Sequence, residues 1–278
     1  MSQPRKESSR IGVARATRKL ESTAGDSYFG GKGLSFRHLI NQIPPHRKLV
    51  IPFAGHCAVT RNIRLPKQVY LSDLDASLFE FWEQEWMHPR WYKTHVEFRD
   101  MCGIELLKTL ISDTPEETFV YCDPPYLHTT RKSRSRYRYE MSFNDHDALI
   151  TALRKLKCRV MISGYPSKFY EDGFAGWRTF SYQAMTRQGL VTEVAWCNYP
   201  EPEALQDYRW LGKDRRERFK LQRRVANLVG KLDRLPQLER MALLDAAISH
   251  FSDPAGIDVK SGDTAGNDSR SGDSGSRD

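Results

Sequence analysis

Thr118-Phe119-Val120-Tyr121-Cys122-Asp123-Pro124-Pro125-Tyr126 is the stretch on which the reading of this chain turns. Its first five residues are apolar or β-prone, and the run ends on two prolines. Proline has no N–H to give a sheet ladder and pushes the residue before it out of the helical region. The pattern predicts a buried strand that stops at Asp123 and delivers Asp123 and Tyr126 to the edge of a sheet. In an open α/β sheet, ligands bind at the carboxyl ends of the strands. An acid, two carbonyls on ring-locked residues and a phenol suit a flat group that carries an amine. Asp123 and the Pro124 carbonyl can each accept an amine hydrogen, and Tyr126 offers a ring to stack on. The plainer alternative is a strand followed by a proline turn.

Upstream, Leu49 to Phe53 is a second strand candidate that runs into Ala54-Gly55-His56-Cys57-Ala58. A strand opening through a glycine turn into a helix is how a doubly wound sheet begins a nucleotide-type site. Val69 to Asp73 is a further strand, and an acid in that place suits the hydroxyls of a ribose. Ala76, Leu78, Phe79, Phe81 and Trp82 predict the helix behind it, Val96 to Asp100 a short strand, and Ile104, Leu107, Leu110 and Ile111 another helix. Leu39, Ile40 and Ile43 predict a helix that ends at Pro44-Pro45. Before it, Tyr28-Phe29-Gly30-Gly31-Lys32-Gly33 lets backbone approach a ligand and brings a lysine that can meet a carboxylate.

Downstream, Thr129 to Tyr139 alternates five basic residues with small hydroxyls and two tyrosines, beside the expected pocket. Arg131, Lys132, Arg134, Arg136, Tyr137 and Arg138 are the candidates there for phosphate and base contact. A helix over Leu149, Leu153 and Leu156, capped by Ser142 or Asn144, leads to a buried strand, Val160 to Tyr165. Ser163 and Tyr165 read first as packing residues, and His128 and His146 as solvated or hydrogen-bonded histidines. Trp177 to Phe180 and Val191 to Trp196 alternate as a closing antiparallel pair, with Trp177 and Trp196 in its core. Beyond Tyr208, apolar residues at helical spacing (Leu221, Val225, Leu228, Leu232, then Leu238, Met241, Leu244, Ile248, Phe251) predict two helices, the first crowded with arginines. Either a DNA-docking face or a lid with a solvated outer side fits them.

A net charge of +8 over 278 residues favours an anionic partner, nucleic acid first. The five cysteines are odd in number and never in a Cys-x-x-Cys pair, which points to reduced thiols, with neither a disulfide frame nor a zinc site. No stretch approaches the ~20 apolar residues of a membrane span, and no apolar secretory core follows the basic start.

The ordered set Gly-Gly-Lys (30–32), Phe-x-Gly (53–55), an acid after the second strand (Asp73), Asp-Pro-Pro-Tyr (123–126), Ser-Gly-Tyr (163–165) and Trp-x-Asn-Tyr (196–199) resembles the Dam-type adenine-N6 DNA methyltransferases, in particular the short bacteriophage and prophage forms. The resemblance implies a Rossmann-like S-adenosylmethionine-dependent methyltransferase fold, α/β with a mostly parallel sheet and an antiparallel last strand, plus a C-terminal helical extension. It further implies that Tyr28 and Lys32 help hold S-adenosylmethionine, that the turn from Phe53 to Gly55 wraps it, that Asp73 binds its ribose, and that Asp123 serves both cofactor and substrate. Asp123, Pro124, Pro125 and Tyr126 would form the pocket for the target adenine. Two positions depart from the family pattern: Cys57 stands where a second glycine is usual, and Ile51 where an acid often opens the Pro-Phe element. The interval from Asp100 to Asp123 also leaves no room for the recognition insert of larger relatives.

The expected organisation is a flexible basic arm (1–27), a methyltransferase domain (28–200), a basic helical extension (201–252) and a disordered tail (253–278). The expected activity is site-specific, adenine-specific DNA methylation with base flipping, by a monomer in the bacterial cytoplasm, phage-encoded in origin. No metal, membrane or protein partner is expected. RNA adenine methylation, glutamine-amide methylation of a protein, against which Asp123 in place of an Asn argues, and a catalytically silent DNA-binding protein are the alternatives.

Overall fold

The computed structural model describes residues 33–111, 116–130, 138–186 and 189–252. The chain divides into two compact units, residues 1–219 and 220–278. The first unit runs α1 (Phe36–Ile40), β1 (Lys48–Ile51), α2 (Ala58–Asn62), β2 (Gln68–Asp73), α3 (Leu78–Trp86), β3 (His95–Asp100), α4 (Gly103–Leu110), β4 (Thr118–Cys122), α5 (Phe143–Lys155), β5 (Arg159–Gly164), α6 (Lys168–Gly173), β6 (Arg178–Thr186) and β7 (Gly189–Cys197). Short 3₁₀ turns lie at Pro89–Trp91 and His128–Thr130. A long helix, α7 (Arg215–Leu232), begins at the end of this unit and continues through the second, where α8 (Gln237–Ser252) follows.

The strands form one sheet in the order β3-β2-β1-β4-β5-β7-β6. All neighbours pair in parallel except β7, which is antiparallel to both β5 and β6. This is a Rossmann-like sheet with its last strand reversed, as the sequence predicts. The order changes direction between β1 and β4, where successive strands leave on opposite sides and open a crevice at their carboxyl ends.

Both faces of the sheet are covered, and alternate residues on each strand sort to opposite cores. Leu49 and Ile51 of β1, Phe119 and Tyr121 of β4, and Met161 of β5 join Leu39 of α1, Val59 of α2 and Trp82 of α3. Val50, Val120, Cys122, Val160 and Ile162 join Leu107 of α4, Leu149 and Leu153 of α5, and Tyr170 of α6. Each Val, Leu, Ile, Phe or Met among them, fully buried, contributes about 1.5–3 kcal/mol. The central strand β4 is buried along its whole length, which is why it reads as an unbroken apolar run. A capping box fixes the start of α5: the Ser142 hydroxyl accepts from the Asp145 N–H while the Asp145 carboxylate accepts from the Ser142 N–H at 2.8 Å.

Local differences from the sequence reading have simple causes. The first helix stops at Ile40, and Ile43 is buried from the turn that follows. Trp177 precedes β6 and packs, half-buried, on Phe174 at 4.6 Å, whereas Trp196 is in the core. His146 is buried with Nδ1 2.8 Å from the Tyr170 hydroxyl, and His128 is half-exposed beside Glu140 at 3.6 Å. On α7 and α8 the apolar residues Val225, Leu228, Leu244 and Ile248 are exposed.

After β7 the chain returns beneath the amino ends of the strands. The Gln206 N–H donates to the Ile43 carbonyl at 2.8 Å, the Arg64 N–H to the Asp207 carboxylate at 2.8 Å, and the Asn41 amide to the Trp210 carbonyl at 2.7 Å. Asp207 is wholly buried and paired with Arg209 at 2.6 Å. The arm 1–27, Tyr28, Lys32, the loop residues Arg131, Lys132, Arg134, Arg136 and Tyr137, and the tail 253–278 lie outside the described residues.

Candidate active site

The crevice between β1 and β4 is a cavity at the carboxyl edge of the sheet. Its walls come from four places: Phe53 to Ala58 after β1, Asp73 to Asp75 after β2, Cys102 to Ile104 after β3, and Asp123 and Pro125 after β4. Arg138, Tyr139, Glu140 and Met141, with Asp145, close one side.

The turn after β1 is held from below. Gly55 adopts φ 40°, a left-handed conformation open to glycine at little cost. Its N–H donates to Asp73 Oδ2 at 2.9 Å, and its carbonyl accepts from the buried Trp82 indole at 2.9 Å. His56 stacks on Phe81 with ring centroids 3.8 Å apart, so it forms wall rather than a mobile base. Cys57, in place of a second glycine, starts α2, and its sulfur accepts from Thr60 Oγ1 at 3.2 Å. Burial and the nearby Asp123 charge push its thiol pKa up, so it sits there as a neutral group.

Asp73 is fixed on both oxygens, Oδ2 by the Gly55 N–H and Oδ1 by the Asp75 N–H at 3.0 Å. Burial raises its pKa against the pull of those donors. Asp75, which the sequence reading passed over, is the second acid at this strand end. Its Oδ1 accepts from the Ser77 hydroxyl at 2.6 Å and from Arg138 Nη1 at 3.0 Å. Burial alone would raise the Asp75 carboxyl, but the Ser77 bonds and the Arg138 guanidinium outweigh it and hold it below the usual range.

The opposite wall rests on close backbone approach. Ser72, buried at the end of β2, donates to the Met101 carbonyl at 2.7 Å. Gly103 then packs so tightly on the first turn that an added Cβ would sit 2.0 Å from the Pro52 carbonyl oxygen.

Asp123 leaves β4 half-buried and oriented by its neighbours. Its Oδ1 accepts from the Tyr126 hydroxyl at 3.1 Å and from Ser163 Oγ, on the adjacent strand β5, also at 3.1 Å. Tyr121, one turn of the pleat back, reaches the same Ser163 hydroxyl at 3.0 Å. Ser163 is therefore part of the acid's setting rather than a packing residue; the sign in sequence was a hydroxyl at the end of the neighbouring strand. Tyr126 is buried, its ring edge-on to Tyr165 at 4.7 Å.

The cavity thus brings together Phe53, Gly55, Asp73, Asp123, Pro125 and Arg138. Pro124 and Tyr126 are buried behind it. Arg138, expected at the nucleic acid, has its guanidinium on Asp75 with two-thirds of the side chain exposed. Among the described residues, no cluster of three or more His, Cys, Asp or Glu could hold a metal ion, and no helix is long and apolar enough to cross a membrane.

No curated protein sequence matches the chain. Among solved structures, it is similar to a SAM-dependent methyltransferase from Agrobacterium tumefaciens, at 9% identity and a TM-score of 0.39 over 59% of this chain and 60% of that one. It is also similar to an rRNA methylase from Streptococcus thermophilus, at 14% identity and a TM-score of 0.40 over 59% of this chain and 93% of that one. The chain spans three-fifths of the first of these and nearly all of the second. Residues 28–88 and 107–187, together half of the chain, match the profile of the D12 class N6 adenine-specific DNA methyltransferases. The matched segments include the Gly55 turn, Asp73 and the Asp-Pro-Pro-Tyr edge of β4, which supply three of the cavity's four walls, and on that match the chain belongs to the D12 class N6 adenine-specific DNA methyltransferase family.

Proposed function

We propose that the chain is a Dam-type methyltransferase of the short phage form, which transfers a methyl group from S-adenosylmethionine to the exocyclic N6 of an adenine flipped out of duplex DNA. The observation that carries this reading is the Asp123 carboxylate, fixed by Tyr126 and Ser163 in the cavity that also holds the Gly55 turn and Asp73.

The cavity fits the methyl donor chemically. Asp73 and Asp75 offer acceptors for a ribose diol, Phe53 and Ile104 give apolar walls, and Gly55 and Gly103 keep backbone close. Tyr28 and Lys32 are proposed to complete the site. When bound, S-adenosylmethionine supplies a methyl group activated by its sulfonium.

The adenine amine is a poor nucleophile, because its lone pair is delocalised into the ring. Asp123 accepts one amine hydrogen and the Pro124 carbonyl the other, which favours the tetrahedral nitrogen that can attack. Catalysis here is mostly positioning and electrostatics. Extruding the base costs a few kcal/mol. Pro125, which lines the cavity, offsets part of it by contact with the flipped ring; Tyr126, expected from sequence to stack on that ring, is buried behind the cavity and acts instead by holding Asp123 Oδ1. Arg138 and the loop before it are proposed to contact phosphates.

The test is methyl transfer from labelled S-adenosylmethionine to unmethylated DNA, followed by digestion to nucleosides. Label in N6-methyl-2′-deoxyadenosine that disappears in Asp123→Ala, with DNA binding retained, is the expected result. Label from RNA alone would replace DNA as the substrate. Near-normal turnover by Asp123→Ala would remove that residue from the chemistry.

A further inference from the structure

A second concave surface lies at the opposite edge of the sheet, under the amino ends of β1, β2 and β3. Arg47, Lys67 and Lys93 precede those strands, Arg64 follows α2, and Arg90 and Arg209 complete the lining, so six cations share one groove. With β1 and β2 four and six residues long at ~3.3 Å per residue, it is roughly 13–20 Å from the cavity at the carboxyl edge.

Two of its arginines are built in. Arg90 Nη2 donates to the carbonyls of Thr60 and Ile63, and Arg209 Nη2 donates to the Asn62 carbonyl at 2.7 Å while its Nε and Nη2 also donate to the Asp207 carboxylate, so the end of α2 and Asp207 hold the two guanidinium groups in place. Burial and the neighbouring Arg209 charge bring the Arg90 pKa down to about 10, which leaves it cationic at neutral pH and repelled by its neighbour. Of the carboxylates nearby, Glu117 pairs with Arg47, Asp207 with Arg209 and Glu85 with Arg61, and the Glu85 and Asp207 charges partly offset the repulsion on Arg90. Among the described residues, no carboxylate pairs with Arg64, Lys67, Arg90 or Lys93. Like charges held at fixed spacing in a groove, with fewer acids than bases, are satisfied by a ligand that carries several negative charges along its length.

We propose that this groove is a second phosphodiester-binding site, which holds DNA backbone from a segment other than the one whose adenine is in the active-site cavity. Fixed guanidiniums suit phosphate oxygens, and Lys67 and Lys93 add mobile point charges at the rim. The site lies on the far edge of the sheet, so its occupancy is read without a methyl donor and does not depend on the reaction proposed above.

The test compares the full chain with Arg64→Ala/Lys67→Ala/Lys93→Ala. All three side chains are exposed, so the substitutions remove charge without opening the core. With a short duplex at low salt, the unaltered chain is expected to bind two duplexes and the variant one. The salt dependence of binding to long DNA should flatten by about 1 in log–log slope per cation removed, roughly 2–3 in all. Lys67→Ala alone should flatten it by about 1, and Lys67→Arg should restore the slope. Methyl transfer to a short duplex at saturation should be unchanged. An unaltered slope and stoichiometry in the triple variant would overturn the proposal, as would polyglutamate occupying the groove as tightly as DNA of equal charge.

Discussion

Replacing Gly103 by alanine puts one methyl group into the closest contact in the active-site cavity. The added Cβ would lie 2.0 Å from the Pro52 carbonyl oxygen, 2.8 Å from its carbon and 3.1 Å from Phe53 Cε1. Ordinary contact begins near 3.4 Å, so the start of α4 and the end of β1 must part by about 1 Å or more. Neither side yields easily: Pro52 is ring-locked at the end of a buried parallel strand, and Gly103 is itself buried at the first turn of α4. Overpacking of this kind costs ~1–3 kcal/mol. For a unit of this size each kcal/mol lowers the melting temperature by about 2–4 °C, so a fall of roughly 4–8 °C is expected at the middle of that range. Because the same two segments wall the cavity, donor binding should weaken along with stability, about tenfold for each 1.4 kcal/mol of distortion felt at the site. Differential scanning calorimetry and titration with S-adenosylmethionine read the two effects. Gly230→Ala is the internal contrast: its new methyl meets nothing within 4 Å on α7, so it should stabilise the helix by ~1 kcal/mol and leave binding alone. A Gly103→Ala protein that melts within 1 °C of the parent, with unchanged donor affinity, would refute the close-approach argument.

Two further outcomes follow from the hydrogen bonds. Ser163→Ala removes one of two hydroxyls that orient Asp123 Oδ1; a bond to a charged group is worth ~1.5–3 kcal/mol, so kcat should fall about 10- to 100-fold with KM for DNA little changed, as single-turnover assays would show. Asp145→Ala breaks the capping box of α5 and should cost ~1 kcal/mol at neutral pH. The Ser142 hydroxyl and N–H hold the Asp145 carboxyl below its ordinary 3.8, so its contribution is present above that pH and is lost as pH falls through the lower folded value. Acid titrations of parent and variant should therefore converge below pH 3.8 and stay parallel above it.

The fold was legible where burial is one-sided or complete. The unbroken apolar run of β4 and the acids and glycines at strand ends mark the carboxyl edge directly, because β4 has no solvent face and the edge is where polar groups resume. Ser163 was harder to read: its hydroxyl meets Asp123 only because β5 pairs with β4 in one register, and register is a property of the pair rather than of either strand. Asp75 was hidden by Asp73, since one acid already satisfied the expectation for that strand end. Gly103 gave no signal as a lone glycine between a strand and a helix; only the approach of Pro52 explains it. The amino-edge groove was illegible for a related reason. Its cations are scattered from Arg47 to Arg209, and none forms a run, so charge that is clustered in space is diluted along the chain.

The place of β7 in the sheet has a consequence for how the chain is made. Gly189–Cys197 is the last strand in sequence, yet it lies between β5 and β6 and covers β5 from Met161 to Gly164. Until those nine residues leave the ribosome, the free edge of β5 is an apolar template beside the strand that carries Asp123. The β6–β7 hairpin must close on itself before or as it docks, since β6 reaches the sheet only through β7. A chain arrested between Thr186 and Gly189 would therefore hold most of its parallel sheet with one edge unsealed, and it is in that interval of synthesis that self-association through β5 competes with completion of the sheet.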